Sequence, residues 1–206
     1  MREIVLDTET TGLDPQGGHR IVEIACVELL HHIPTGRDFH RYVNPGRDVP
    51  LDALAVHGLT AEFLAAHQPF AAICDELLEF IGADPLVIHN AEFDLAFLNM
   101  ELARLDRAAI AFSHVDTLAM ARQRYPGAPA SLDALCRRFD VDSTSRVNHG
   151  AKIDCGLLAA VYLELIGGRQ PGLEFVVSAA AGITAVRVAR VPRPHAPSAE
   201  EIVAHQ

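Results

Sequence analysis

An apolar strand that ends in two acids constrains this chain more than any other feature. Ile4-Val5-Leu6 runs straight into Asp7-Thr8-Glu9, and the two-residue period of a strand puts both carboxylates on one face. Like charges placed side by side repel unless a cation lies between them. The segments RIVEIACVELL and RDFHRYVN follow EIVLDTE with Gly and Pro between them, which predicts three successive strands in a meander. After Pro50 the spacing turns helical in PLDALAVHGLTAEFLAAH and PFAAICDELLEFIG. PLVIHN then reads as a fourth strand feeding the helix AEFDLAFLNMELARL, a β-to-α unit. Two amphipathic segments, VDTLAMARQRY and SLDALCRRF, precede a long helix in GAKIDCGLLAAVYLELIGG, whose closing glycines are a stop signal. Strands first, then alternating strand and helix, predict an α/β fold: a mixed β-sheet flanked by helices.

Two further acids stand where such a fold wants apolar residues. Asp94 lies four residues before Leu98, on the inward stripe that continues through Leu102 and Leu105. Asp154 lies one turn before Leu158, on the stripe with Val161, Tyr162 and Leu165. Buried carboxylates without a cation are costly, and no Lys or Arg stands at helical spacing to pair with either one. Convergence of Asp7, Glu9, Asp94 and Asp154 on bound metal removes the anomaly. Hard divalent ions such as Mg²⁺ or Mn²⁺ take oxygen ligands, and two of them roughly 3.5 to 4 Å apart clamp a phosphodiester. His149, in the loop NHG just before the Asp154 helix, is placed to take the proton of an attacking water. Singly, an Asp at a helix start is an ordinary cap and a lone His an ordinary surface or core residue. Together, with two acids on buried stripes, they point to a metal-dependent site.

Composition narrows the setting. At 206 residues, with a net charge of -10 and half the residues apolar, the chain cannot be disordered throughout. The four cysteines, Cys26, Cys74, Cys136 and Cys155, sit among apolar neighbours without metal-ligand spacing, so reduced core thiols are expected. No run of about eighteen apolar residues lacks a charge, and the N-terminal residues carry no signal-peptide pattern. A cytoplasmic protein with no membrane partner is expected. The negative charge argues against binding nucleic acid by bulk electrostatics, yet fits carboxylates gathered around divalent cations.

The motifs VLDTETTGL, VIHNAEFDLAFLNMEL and HGAKIDCGLLAAVYLELIGG, in this order and with this spacing, resemble those of the DEDDh 3′-to-5′ exonucleases, and within them the epsilon proofreading subunits of bacterial DNA polymerase III. SLDALCRRF and AVHGLT belong to the same likeness, which covers roughly residues 2 to 168. It implies a ribonuclease H-like sheet, two divalent metal ions held by Asp7, Glu9, Asp94 and Asp154, and His149 as general base. By the same resemblance Thr8 and Thr10 set the sugar and phosphate of the terminal nucleotide through backbone and hydroxyl contacts, and Leu13 wedges against its base. Val56 and His57 lie beside that base, or are simply a helix-end pair packed in the core. Asn90 either steadies the carboxylates or bonds the strand-to-helix turn. Asp116 and Asp133 read as helix caps rather than ligands, since Asp116 opens a helix and Asp133 lies in the first turn after Ser131. Arg122, Arg124, Arg137, Arg138 and Arg146 either touch DNA phosphates or are ordinary solvated charges.

The resemblance implies a proofreading subunit that acts on single-stranded or frayed 3′ ends of DNA. A free-standing enzyme trimming RNA or short oligonucleotides would use the same five residues, and an adaptor without activity would not keep unused buried acids. At Arg169 the composition shifts toward Gly, Ala and Pro, so the exonuclease domain is placed at 1–168 and a largely extended tail at 169–206. QPGLEF in that tail resembles the bacterial sliding-clamp-binding motif, with Gln170, Leu173 and Phe175 as the matching positions; the alternative is a linker packing back on the domain. AVRVARV alternates as an edge strand does, and Ser198 with Glu201 forms a capping box. The resemblance implies that this distal part orders on the polymerase catalytic (alpha) subunit.

Overall fold

A computed structural model of the chain describes residues 1–168 apart from 145 and 147. The three leading strands form as expected, with β1 spanning Arg2–Thr10, β2 Ile21–Leu30 and β3 Ile33–Tyr42, paired antiparallel in sequence order. His31 and His32 both take positive φ at the β2–β3 turn, the local backbone that suits a tight hairpin's twist. β4 (Leu86–Ile88) and β5 (His114–Asp116) then add in parallel on the other side of β1. The five-stranded sheet has the order β3-β2-β1-β4-β5, so β1 lies at its centre and is covered on both faces.

The alternation along β1 divides the core. Ile4 and Leu6 point to one layer, where they meet Ile73, Leu77 and Ile81 of α3 (Phe70–Ile81) and Phe97, Leu98 and Leu102 of α4 (Ala91–Ala103). Val5 points to the opposite layer with Ala25, Leu29 and Val87, against Leu135 and Cys136 of α6 (Leu132–Phe139) and Cys155, Leu158 and Val161 of α7 (Ala151–Leu165). Each fully buried aliphatic side chain in these layers stabilises the fold by about 1.5–3 kcal/mol. All four cysteines are buried and free.

Two elements differ from the sequence expectation. The helical spacing after Pro50 breaks into α1 (Leu51–His57) and α2 (Ala61–Ala65), because Gly58 adopts φ 73° and ends α1 with a left-handed cap. A side chain at Gly58 would also meet the Asn148 amide at 3.0 Å. Thr60 restarts the chain by accepting from the Phe63 N–H. Similarly, VDTLAMARQRY is not helical throughout: its first residues belong to β5, where Val115 stands beside Val87. A three-residue strand is too short to show a period, and only neighbouring β4 determines it. Asp116 then caps α5 (Thr117–Arg124) by accepting from the Leu118 and Ala119 N–H groups.

After α7, Gly167 and Gly168 take positive φ, matching the expected stop. The clamp-like motif with Gln170, Leu173 and Phe175, the alternating AVRVARV and the capping box at Ser198 lie outside the described residues. Among the described residues no helix is long and apolar enough to cross a membrane.

Candidate active site

Asp7 and Glu9 share the parity of Val5, so β1 directs both toward the α7 side of the sheet. Asp154, in the first turn of α7, reaches them from that layer and is buried. Asp94 comes from the opposite layer. It lies in the first turn of α4, where the helix N-terminus favours a negative charge, and Thr8, of the other parity on β1, donates its hydroxyl to Asp94 Oδ1 at 2.7 Å. One strand thus carries two acids on one face and, on the other, the hydroxyl that fixes a third. His149 is held through its backbone, its N–H donating to the Val56 carbonyl at the end of α1 at 3.2 Å. All five residues line a single cavity of about 260 Å³.

The electrostatics of this cavity are those of acids crowded together. Burial, then the charges of Asp94, Glu9 and Asp154, push the Asp7 carboxyl well above the usual carboxylate range. Burial, with Asp154, Glu23 and Asp94 nearby, pushes Glu9 up to about 8. Asp94 is raised by burial to about 7 although the Thr8 hydrogen bond lowers it. Such groups ionise together only with positive charge among them. The donors are oxygens apart from one imidazole, and donor atoms of Glu9, His149 and Asp154 lie within 4.8 Å of one another. This set fits hard divalent cations such as Mg²⁺ or Mn²⁺.

Asp154 is not without a cation, contrary to what helical spacing suggested. Arg146, in the loop between α6 and α7, donates from Nε to Asp154 Oδ1 at 2.6 Å and from Nη2 to Oδ2 at 2.7 Å. Its side chain is only 8% exposed, which also removes it from the surface arginines. Periodicity misses it because a loop residue eight positions away is brought back by the chain's path. The sequence signal that remains is an Arg three positions before the loop histidine. Arg122, Arg124, Arg137 and Arg138 are exposed; the Arg138 guanidinium lies 4.4 Å from the Tyr125 ring centroid, and Arg124 donates to the Leu165 carbonyl. Asp133 is not a cap. Ser131 caps α6 by accepting from the Ala134 N–H, while the Asp133 carboxylate accepts from Arg146.

A second cavity, of about 580 Å³, adjoins the first through Thr8, Glu9 and Phe93, and Thr10, Leu13, Val56 and His57 line it. The Thr8 hydroxyl is committed to Asp94 rather than facing a ligand. Thr10 donates to the Gly12 carbonyl at 2.6 Å and shapes the turn that carries Leu13, a residue 85% exposed. Val56 is half-exposed, whereas His57 is buried as the last residue of α1. The His57 Nδ1 accepts from the Leu59 N–H at 3.0 Å, its Nε2 has no hydrogen-bond partner among the described residues, and burial lowers its pKa. Asn90 makes no side-chain cap; it adopts φ 71° at the start of α4, and its N–H donates to Asp116 Oδ1. It therefore belongs to the strand-to-helix turn.

Comparison with known proteins shows the family and the fold. Residues 4–162 match the Exonuclease (RNase T) family. The DNA polymerase III subunit epsilon of Rickettsia felis is 53% identical over 180 residues, 85% of this chain and 79% of the relative. The chain belongs to the DNA polymerase III epsilon-subunit family. The Escherichia coli K12 member is 44% identical over 184 residues, 85% of this chain and 75% of the relative. Among solved structures, exonuclease X in complex with 5′ overhanging duplex DNA superposes with a TM-score of 0.64 at 26% identity, covering 80% of this chain and 90% of that one. The nuclease domain of 3′hExo, a DEDDh family member, matches in fold, with a TM-score of 0.66 at 17% identity over 80% of this chain and 91% of that one. The family places this chain among exonucleases of DNA replication, on the ribonuclease H-like sheet.

Proposed function

We propose that this chain is the proofreading exonuclease of a bacterial replicative polymerase, removing the 3′-terminal nucleotide of single-stranded or frayed DNA as a 5′-monophosphate. The observation that carries the reading is the meeting of Asp7, Glu9, Asp94, Asp154 and His149 in one cavity. Two divalent ions, Mg²⁺ or Mn²⁺, bound by the four carboxylates would activate a water and stabilise the leaving 3′-oxygen. His149 receives the proton of that water, and its place in a loop gives the imidazole freedom to approach. Thr8 keeps Asp94 turned inward. The adjoining cavity receives the terminal nucleotide, with Leu13 at its rim, Val56 on its wall and Thr10 shaping the turn between them. No base-reading element is evident there, so selection arises from unpairing: a mispaired end is extruded at lower cost than a matched one.

Residues 1–168 constitute the exonuclease domain in this reading. The tail, 169–206, supplies contacts to partners in the cytoplasm: Gln170, Leu173 and Phe175 to the sliding clamp, and the distal residues to the polymerase catalytic subunit.

Primers labelled at the 5′ end, matched or mispaired at the 3′ terminus, test the reading with Mg²⁺ or Mn²⁺ present. Stepwise shortening from the 3′ end, faster on the mispaired primer and absent with chelator, is expected. Near-normal activity in the Asp7→Ala, Glu9→Ala double variant, or equal rates on the two primers, refutes it. Replacing Leu173 and Phe175 by Ala in the full chain should weaken clamp binding alone; unchanged clamp affinity refutes that assignment.

A further inference from the structure

Arg146 makes four contacts at the centre of the acidic cavity. It takes both oxygens of Asp154 at 2.6 and 2.7 Å, bonds Asp133 Oδ1, and through Nη2 meets His149 Nδ1 at 2.8 Å. A guanidinium has only donors. His149 Nδ1 is therefore the acceptor in that contact, and a neutral imidazole then carries its proton on Nε2. While the contact lasts, the guanidinium occupies Nδ1. The same side chain neutralises the carboxylate that faces Glu9 and His149 in the three-residue donor cluster.

Arg146 belongs to a loop rather than to a helix or strand. It lies between α6 and α7, among the described residues its own N–H donates to the Ser143 carbonyl at 3.0 Å, and Asp133, its second carboxylate partner, is about half exposed at 48%. The Asp133 side of the contact opens toward a further cavity, of about 400 Å³, which Arg146 also lines together with Ser143 and Asn148. A swing away from Asp154 thus has space and a waiting partner, with the loop backbone left in place.

We propose that Arg146 is the resident counter-cation of the site and a latch on its base. Without divalent metal it holds Asp154 and engages His149, and when Asp154 takes up a cation, Arg146 withdraws toward Asp133 and frees Nδ1. Loading of the metal site and arming of the base become one event, since a single guanidinium bridges both groups. The inference rests on the reading of the carboxylates as metal ligands.

Calorimetric titration of the full-length chain with MnCl₂, on the wild type, Arg146→Gln and Arg146→Lys, tests it, together with thermal melts with and without Mn²⁺. Competition predicts tighter Mn²⁺ binding by Arg146→Gln, about tenfold, the scale of a charge-assisted contact that no longer has to be broken. Arg146→Lys, which keeps one charge but cannot span both Asp154 oxygens, should fall between. The metal-free melting temperature of Arg146→Gln should drop, and the Mn²⁺-saturated one should not. Imidazole ¹⁵N spectra should show His149 Nδ1 unprotonated in the metal-free wild type and changed on adding Mg²⁺. Affinity in Arg146→Gln equal to or weaker than wild type overturns the latch, because Arg146 would then only orient the ligands; so does an equal drop of both melting temperatures. If that variant does not fold, Arg146→Lys decides by the same criterion of affinity. Absence of Mn²⁺ binding in the wild type and variants alike overturns the metal-site reading itself, and the latch with it.

Discussion

The hydroxyl of Thr8 offers a quantitative test of how the site is tuned. Thr8→Val keeps the branched shape on β1 but removes the 2.7 Å hydrogen bond to Asp94. A donor to a carboxylate favours its charged form, so its loss moves Asp94 upward from about 7. Of the roughly 1.5–3 kcal/mol that a hydrogen bond to a charged group contributes, about 1.4 kcal/mol corresponds to one pKa unit. At pH 7 the ionised fraction of Asp94 then falls from about a half to about a tenth, whereas at pH 9 it is nearly complete in both proteins. Mn²⁺ affinity by calorimetry should therefore drop about fivefold at pH 7 and scarcely change at pH 9. Metal-free melts should show the opposite asymmetry, with the variant more destabilised at pH 9, where the lost bond was to a full charge. Equal losses of affinity at both pH values would refute the reasoning and assign Thr8 a purely steric part.

The raised pKa values of Glu9, to about 8, and Asp94, to about 7, mean that the folded chain binds more protons than the unfolded one between these values and the ordinary carboxylate range. These carboxyls should make the stability of the metal-free protein decline as pH rises from about 5 to 8, with the lowered pKa values of buried His57 and half-buried His89 acting the other way; melts with saturating Mn²⁺ should lose the decline, and a metal-free protein that gains stability over the whole interval contradicts the electrostatics. Asp7→Asn should remove repulsion from the cluster, raising the metal-free melting temperature while lowering kcat by about 10²–10³-fold, the scale seen when one preorganised stabilising group is lost; a variant both less stable and fully active opposes this. Arg20 grips the buried Glu101 of α4 through two contacts, at 2.6 and 2.7 Å, and Arg104 retains a third at 3.3 Å. Arg20→Ala should therefore cost toward the low end of roughly 3–5 kcal/mol in urea unfolding and raise KM more than it lowers kcat, because the loop carrying Leu13 ends at Arg20.

The alternation of Val5, Asp7 and Glu9 already determined which way those acids face, since a strand has only two sides. Asp94 and Asp154 were equally legible, because helical geometry ties each to a stripe of leucines that has to be buried. Periodicity thus located four acids and the sheet between them without any tertiary contact. It had no access to relations that arise when distant segments meet. β5 is a strand because β4 offers it a parallel edge, the helical run after Pro50 is two helices because Gly58 turns left-handed against the loop of Asn148, and the Thr8 hydroxyl serves Asp94 because two opposite layers meet at the end of β1. Arg146 is the clearest case. In sequence it is one of several arginines, set apart from the exposed Arg137 and Arg138 only by standing three positions before His149. Only the path of the loop between α6 and α7 carries its guanidinium into the acids, because long-range electrostatic pairing depends on distance in space, and distance in space has no period along the chain.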